Sequence, residues 1–481
     1  MDQAHSRSAV PVTQQPSAQR PTGSRRALCI VAVLTGMFVS SMDLLIVNVA
    51  FPKLELSFGS SSLSSLSWVL SAYAIAFAAL LMPAGRWADQ SGRKRAFLSG
   101  LVLFTAASAC CAAAPSLSVL VAARVLQGVG GAVMLPSSLG LLLPLFPPER
   151  HGAAVGLWSA MGGVAAAAGL PIGGLLAQVN WRLVFLVNMP IGVAAALIGW
   201  RLLPEIREKS RSALDVPGAL VLAATAAAVI AAIVQGQTWG WGGIRIITLF
   251  VLGALGIAFS ARRAVRHPFP VIEPAILRIP AVALADVATT LFYTGFGALM
   301  LLSTLFLTEV WRHSIVRTGL EIAPLPVVAA LFAVPGGLLA TRRGAHVAGM
   351  AGSLLFAAGI VWCGVTANSG PDYVSAILPG EIISGIGTGL VLPGLSGAAT
   401  LPLPPERFAT GTAMMSMCRQ VGLALGAAAV AAILGVSPAI SAFHATWLFI
   451  AACGCAAGLT LLMIGFPRRP AAARAGATAT P

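Results

Sequence analysis

Asp43, Arg124, Glu381 and Arg419 lie inside long apolar runs of a 481-residue chain. An ionised side chain in hydrocarbon costs at least about 2.5–3.5 kcal/mol, so charges kept there point to function. A carboxylate beside a guanidinium can take up and release a proton, because desolvation favours the neutral acid and a nearby cation favours the ion. Arginine suits the partner's role because it stays charged throughout. Asp43 and Arg124 each lie about eight residues inside one end of their runs, and Glu381 at a matching depth, about 12 Å in at 1.5 Å per residue. Equal depth permits an Asp43–Arg124 pair. Its bland alternative is a static bridge that fixes helix packing. Arg419, followed by Gln420, lies near mid-depth, placed either to meet a buried acid or to satisfy buried carbonyls.

These charges need elements to position them, and composition says which. The chain is 57% hydrophobic and 9% charged, against roughly 25% charged in soluble proteins. With a mean hydropathy of +0.88, its main solvent is lipid. Apolar runs fall near 27–51, 67–84, 96–114, 117–146, 153–177, 182–203, 215–235 and 244–261. After a basic stretch they resume near 280–309, 318–340, 345–367, 373–399, 408–435 and 445–466. Each suits a transmembrane helix, which needs about 20 residues. The reading is an all-α polytopic membrane protein of fourteen helices, with 1–25 a disordered tail and 468–481 a second tail.

The net charge of +15 is topological. Lys53, Arg182, Arg245, Arg312 and Arg317 fall on one side of the membrane, Arg124 and Arg419 lie within runs, and every other lysine and arginine falls on the opposite side. That asymmetry places both termini in the cytoplasm and removes the nucleic-acid reading. All seven cysteines lie in apolar runs, so neither a disulfide framework nor a metal spacing is indicated. The lysines, in FPKLE, GRKRA and REKSR, complete no phosphate-binding loop, which leaves an ion gradient as the energy source. No hydrolase or metalloenzyme pattern occurs among the six histidines, so an enzyme is not expected, nor any cofactor.

The chain repeats itself. GRWADQSGRKR (Gly85–Arg95) aligns with GLLATRRGAH (Gly337–His346), with Thr341 opposite Asp89 and Ala345 opposite Arg93. RVLQGVGGAVMLP (Arg124–Pro136) aligns with EIISGIGTGLVLP (Glu381–Pro393), and PPER at Pro147–Arg150 with PPER at Pro404–Arg407. The first six and last six helices are therefore two copies of one unit, with helices seven and eight inserted between them. The implied segments are 26–204, an inserted pair 205–265, and 266–467. Parallel six-helix repeats with a site at their interface are the major facilitator plan.

On these residues the chain resembles the fourteen-helix drug:proton antiporters of the major facilitator superfamily. MDLLIVNVAFP (Met42–Pro52) is similar to that family's acidic first-helix motif, GRWADQSGRKR to its cytoplasmic gate, and LVAARVLQGVGGA (Leu120–Ala132) to its fourth-helix motif. WRLVFLVNMPIG (Trp181–Gly192), LDVPGAL (Leu214–Leu220) and CRQVGLALG (Cys418–Gly426) resemble further family stretches. In helix five the family's GPxxGG is replaced by GLPIGG, comprising Gly169, Pro171, Gly173 and Gly174. Moving the proline one position turns its kink by about 100°, while Gly162, Gly169 and Gly173 keep a face for close packing.

The resemblance implies a monomeric exporter of small amphipathic compounds, driven by protons through alternating access. It implies a central cavity lined by helices one, four, nine and twelve, with Asp43 and Arg124 coupling to protons; Glu381, where that family usually carries an apolar residue, is either a further proton-coupling acid or a feature of this protein's own substrate. In the gate, Gly85, Asp89, Gly92, Arg93, Lys94 and Arg95 act together, with Asp89 at a helix N-terminus where the dipole favours an anion. Trp68, Tyr73, Gln127, Trp158, Tyr293 and Arg419 are candidates for the substrate wall. Asp215 and Asp286, near helix ends, suit caps or solvated positions. Arg124 and Glu381, equivalent in the repeat, are expected to approach one another across the pseudo-twofold axis in one gating state. The rival is a proton-coupled importer. Import of an anion would favour a positive cavity, whereas the deep charges balance: Asp43 and Glu381 against Arg124 and Arg419. Export would lower the accumulation of a dye such as ethidium.

Overall fold

The structure, a computed structural model, describes residues 23–58, 63–205, 215–267, 276, 278–404, 407–434 and 439–465. The first half contains α1 (Gly23–Phe58), α2 (Leu63–Ser91), α3 (Arg93–Ala113), α4 (Leu117–Leu142), α5 (His151–Val179) and α6 (Asn188–Leu202). α7 (Val216–Trp239) and α8 (Ile244–Arg266) follow. The second half contains α9 (Pro280–Leu305), α10 (Pro324–Arg343), α11 (Ala345–Thr366), α12 (Leu378–Thr400), α13 (Phe408–Leu434) and α14 (Ile440–Gly465). Short helices Leu183–Leu186 and Ile315–Ile322 lead into α6 and α10, and a widened π turn at Tyr373–Ile377 leads into α12.

Among the described residues, thirteen helical segments are long and apolar enough to cross a membrane, and α5 is a further continuous helix of 29 residues. Lipid offers the backbone no hydrogen-bond partners, and helices satisfy it internally. Several sequence boundaries move, α2 among them, which continues past the expected end near 84 to Ser91. α1 begins at Gly23, so 23–25 are helical and only 1–22 of the first expected tail lie outside the described residues; 468–481 lie outside them entirely. α1 also continues past the expected end near 51 to Phe58, which places Asp43 near its middle.

The internal repeat is visible as matched backbone crossings. A Cβ on Gly130 of α4 would lie 2.5 Å from the Phe104 nitrogen of α3. One on Gly387 of α12 would lie 2.3 Å from the Phe356 nitrogen of α11. Only hydrogen fits at either contact. Between α2 and α3, Gly92 has φ 110°, and Gly344 between α10 and α11 has φ 101°, a region L side chains avoid.

The halves meet along two seams, α2 against α13 and α5 against α10. α7 and α8 pack on each other, and α7 reaches α2 and α13 at the edge of the first seam. Asp215 caps α7 by accepting from Gly218 N–H at 2.9 Å and pairs with Arg263 of α8 at 2.7 Å, as a capping role predicts. Trp68 lies against Trp239 of α7 in a tilted contact, ring centroids 6.0 Å apart, so it faces the added pair.

Candidate functional site

A cavity of about 150 Å³ lies between the halves. α1 contributes Met37 and Ser41, and α5 contributes Trp158, Ser159, Gly162 and Gly163. From the second half come Tyr293 and Phe296 of α9, Thr388 and Ser396 of α12, and Met415 and Arg419 of α13. Trp158 donates its indole N–H to Ser138 Oγ at 2.9 Å, which fixes its ring on the wall. The Arg419 guanidinium carbon lies 5.9 Å from the Tyr293 ring centre. Of the six expected wall residues, the structure places Trp158, Tyr293 and Arg419 here. Trp68, Tyr73 and Gln127 lie elsewhere.

Asp43 and Arg124 meet, but inside the first half. Arg124 donates to Asp43 Oδ2 at 2.5 Å, to Gln127 Oε1 at 2.8 Å and to the Val69 carbonyl at 3.0 Å. Asp43 Oδ1 accepts from Gln127 Nε2 at 2.9 Å and from Asn188 Nδ2 at 3.1 Å. Gln127 and Asn188 both also donate to Ser108 Oγ, at 3.2 and 3.1 Å. Tyr73 covers the guanidinium at 4.3 Å, and its hydroxyl reaches Ser40 at 3.5 Å. Both charged side chains are fully buried. Helices α1, α2, α3, α4 and α6 thus contribute to one polar cluster, and breaking such a buried pair from one side costs about 3–5 kcal/mol.

Glu381 does not join that cluster. It sits in the first turn of α12, where Tyr373 of the preceding π turn donates to its Oε2 at 3.2 Å. It faces a small pocket within the second half, beside Ser303, Cys363 and Trp447. The expected approach of Arg124 and Glu381 is absent from this arrangement, because each is engaged within its own half. α4 supplies no wall residue among the described ones, since its polar face turns inward to Asp43. α5 and α13 line the cavity in its place.

Gly85, Asp89, Gly92, Arg93, Lys94 and Arg95 lie at the end of the molecule where the basic residues gather. Asp89 lies near the C-terminal end of its own helix, and the N-terminus it occupies belongs to α13. Thr410 donates to Asp89 Oδ2 from its backbone N–H at 2.9 Å and from its hydroxyl at 2.7 Å, across the seam. Arg93 holds the other oxygen at 2.9 Å and donates to the Gly140 carbonyl at 2.9 Å, which ties α2 and α3 to α4. The Lys94 backbone N–H donates to Glu205 at 3.2 Å, Arg95 is exposed, and Gly85 is buried within α2.

The second seam is backbone contact. A Cβ on Gly156 of α5 would lie 2.6 Å from the Ala333 carbonyl of α10, and one on Gly337 would lie 2.9 Å from Gly156 Cα. Thr341, the counterpart of Asp89, packs beside Gly152. Farther along α5, Gly162 and Gly173 admit Met37 and Ile46 of α1, Gly169 is buried, Gly174 is half-buried, and Pro171 is exposed in a helix that continues past it.

Sequence reasoning missed Asn188, Ser108 and the Val69 carbonyl. Asn188 had a signal, because it lies in WRLVFLVNMPIG; a serine in an apolar run and a carbonyl have none. Asp286 corrects an expectation. Rather than capping or meeting solvent, it is buried in α9, and neither carboxylate oxygen has a hydrogen-bond partner among the described residues.

A family model described as Major Facilitator Superfamily matches residues 33–427. The methylenomycin A resistance protein of Streptomyces coelicolor is 30% identical, over 87% of this chain and 88% of its own. The puromycin resistance protein pur8 of Streptomyces alboniger is 33% identical, over 91% and 88%. The multidrug resistance protein Stp of Mycobacterium tuberculosis is 31% identical, over 85% and 75%. Among solved structures, the human organic anion transporter MFSD10 (TETRAN) shares the fold with a TM-score of 0.59, covering 92% of this chain and 99% of its own, at 15% identity. Two repeated halves, a cavity at their seam and a match across most of the chain lead to one assignment: this multi-pass membrane protein belongs to the major facilitator superfamily.

Proposed function

We propose that the protein exports small amphipathic compounds, drugs or antibiotics among them, in exchange for protons by alternating access. The observation that carries this reading is the cavity between the halves, fastened beneath by Asp89–Thr410 and by the α5–α10 backbone contact. The basic end is read as cytoplasmic by the positive-inside rule, with both termini on that side, so the fastened end is the cytoplasmic one. Relatives over most of the length are named for antibiotic and multidrug resistance, which supports export of such compounds here. The protein is read as a monomer without a cofactor.

The proton is assigned to the Asp43–Arg124 cluster. α1 connects it to the cavity, carrying Asp43 on one face and, about 200–240° around the helix, Ser41 and Met37 on the other. Protonating Asp43 removes the charge that holds Arg124, loosens α1 from α4 and α6, and shifts the cavity wall with the same helix. Glu381 is a second candidate, with no ion pair to a cation among the described residues.

Inverted vesicles carrying the protein, acidified inside, are expected to accumulate substrate and to lose it on addition of an uncoupler. An importer would empty the same vesicles, and dependence on sodium alone would remove the proton.

A further inference from the structure

We propose that the seam cavity selects organic anions with an aromatic body, and that Arg419 binds the anionic group. The proposal rests on reading this cavity as the substrate site. It names the class of substrate the site takes.

The wall carries one sign of charge. Arg419 is the single ionised side chain among its lining residues. The acids that could balance it are placed elsewhere. Asp43 is consumed by Arg124, Gln127 and Asn188, and Glu381 faces its own pocket beside Tyr373. Asp286 lies on α9, which packs against α13, yet neither of its oxygens has a hydrogen-bond partner. Among the described residues no carboxylate lies within ion-pair distance of Arg419, and its buried Nε lacks a hydrogen-bond partner. A guanidinium held in a low-dielectric interior without a counter-ion is costly. A ligand anion entering the cavity supplies the missing charge, and the planar fork of arginine matches a carboxylate two bonds at a time.

The rest of the wall fits an aromatic body. Tyr293 and Phe296 offer rings on one side and Trp158 on the other, its N–H already spent on Ser138. Met37 and Met415 supply adaptable apolar surface. A cavity of about 150 Å³ is the size that accommodates a single benzene ring, so larger ligands enter as the halves part. A positive wall sets the sign of the ligand and not the direction of transport, since one cavity serves both faces in turn. The balance of deep charges read from the sequence therefore does not describe the cavity: three of its four charges lie off the wall.

The test uses purified full-length protein in lipid nanodiscs and two probes of equal ring size, naphthoate and naphthylmethylammonium, measured by calorimetry. Naphthoate is expected to bind at least about tenfold tighter than the ammonium, as a charge-assisted hydrogen bond allows. Arg419→Gln should erase that preference, and Arg419→Lys should keep part of it. Thr388→Asp, which adds an acid to the same cavity lining, should favour the ammonium without removing Arg419. Equal binding of both probes, no measurable naphthoate binding, or unchanged naphthoate affinity in Arg419→Gln each overturns the proposal. Arg419-dependent binding without proton-driven accumulation in vesicles would instead overturn the export reading and leave this inference standing.

Discussion

The two halves share a backbone plan and divide the chemistry between them. At the position where α4 carries Arg124, α12 carries Glu381; the first sits in a buried, multiply hydrogen-bonded ion-pair cluster and the second accepts one hydrogen bond from Tyr373. At the gate, Asp89 reaches across the seam to Thr410, whereas its counterpart Thr341 packs against Gly152. The crossings Gly130–Phe104 and Gly387–Phe356 stay matched. A duplicated bundle can keep its joints and lose its charges on one side. The first half buries its ion pair in a closed cluster, to which the proposed function assigns the proton, while the second half places Arg419 on the cavity wall.

Breaking the cluster tests this division most severely. Asp43→Asn is expected to abolish gradient-driven export, a loss of at least about a hundredfold, while the protein still inserts, because an amide of the same shape keeps some of the hydrogen bonds but no charge for Arg124. Active efflux by this variant at normal membrane levels removes Asp43 from coupling. Next in size is the backbone seam. Gly156→Leu forces a side chain where a Cβ alone would lie 2.6 Å from the Ala333 carbonyl, so α5 and α10 cannot close. Cysteine crosslinking across that seam should fall toward background, and undiminished crosslinking would mean the helices part without cost.

The polar gate is expected to be milder. Asp89→Asn retains acceptance from Thr410 but loses its pairing with Arg93 and the favourable helix N-terminus of α13, worth about 0.3–1 kcal/mol when exposed and up to about 2 kcal/mol when partly buried. Transport should drop several-fold with a shift toward the state open at the basic end, read by accessibility of a cysteine placed on the cavity wall. Introducing Thr341→Asp into the Asp89→Asn variant sharpens the contrast: a second acid that restores nothing there shows that the seams are not interchangeable. Smallest of all is the link between Arg124 and Glu381. A double-mutant cycle on ligand affinity with Arg124→Gln and Glu381→Gln should give a coupling energy within about 0.5 kcal/mol of zero, as for separated sites. A clear coupling would mean the two meet in another gating state.

Much of this architecture was legible in the sequence because its causes are local or periodic. Apolar length gives the helices, loop charge gives the two ends, and the doubled GRWADQSGRKR and RVLQGVGGAVMLP stretches give the halves. The Asp43–Arg124 pair could be anticipated from depth and cost. Which way each charge faces could not, because depth fixes a position along a helix and not its rotation. Arg124 and Glu381 lie at like depth and turn into their own halves. Gln127 and Tyr73, expected on the cavity wall, are bound to the same buried cluster, whereas Arg419 faces the cavity. Asp286 was misread for a related reason: nearness to a helix end suggested solvent, and packing of α9 against α13 and α14 covered it.

The paired glycine crossings carry a consequence for how such a pump diversifies. Where two backbones touch through hydrogen alone, no heavier residue is tolerated, and each pair of helices travels as one slab. Selection for a new compound is therefore excluded from those joints and channelled to Met37, Ser159, Thr388 and Met415, whose side chains end in the cavity. Lineages of this chain should differ freely at these wall positions while Gly130 and Gly387 stay fixed, so that the range of compounds handled can drift without the joints drifting with it.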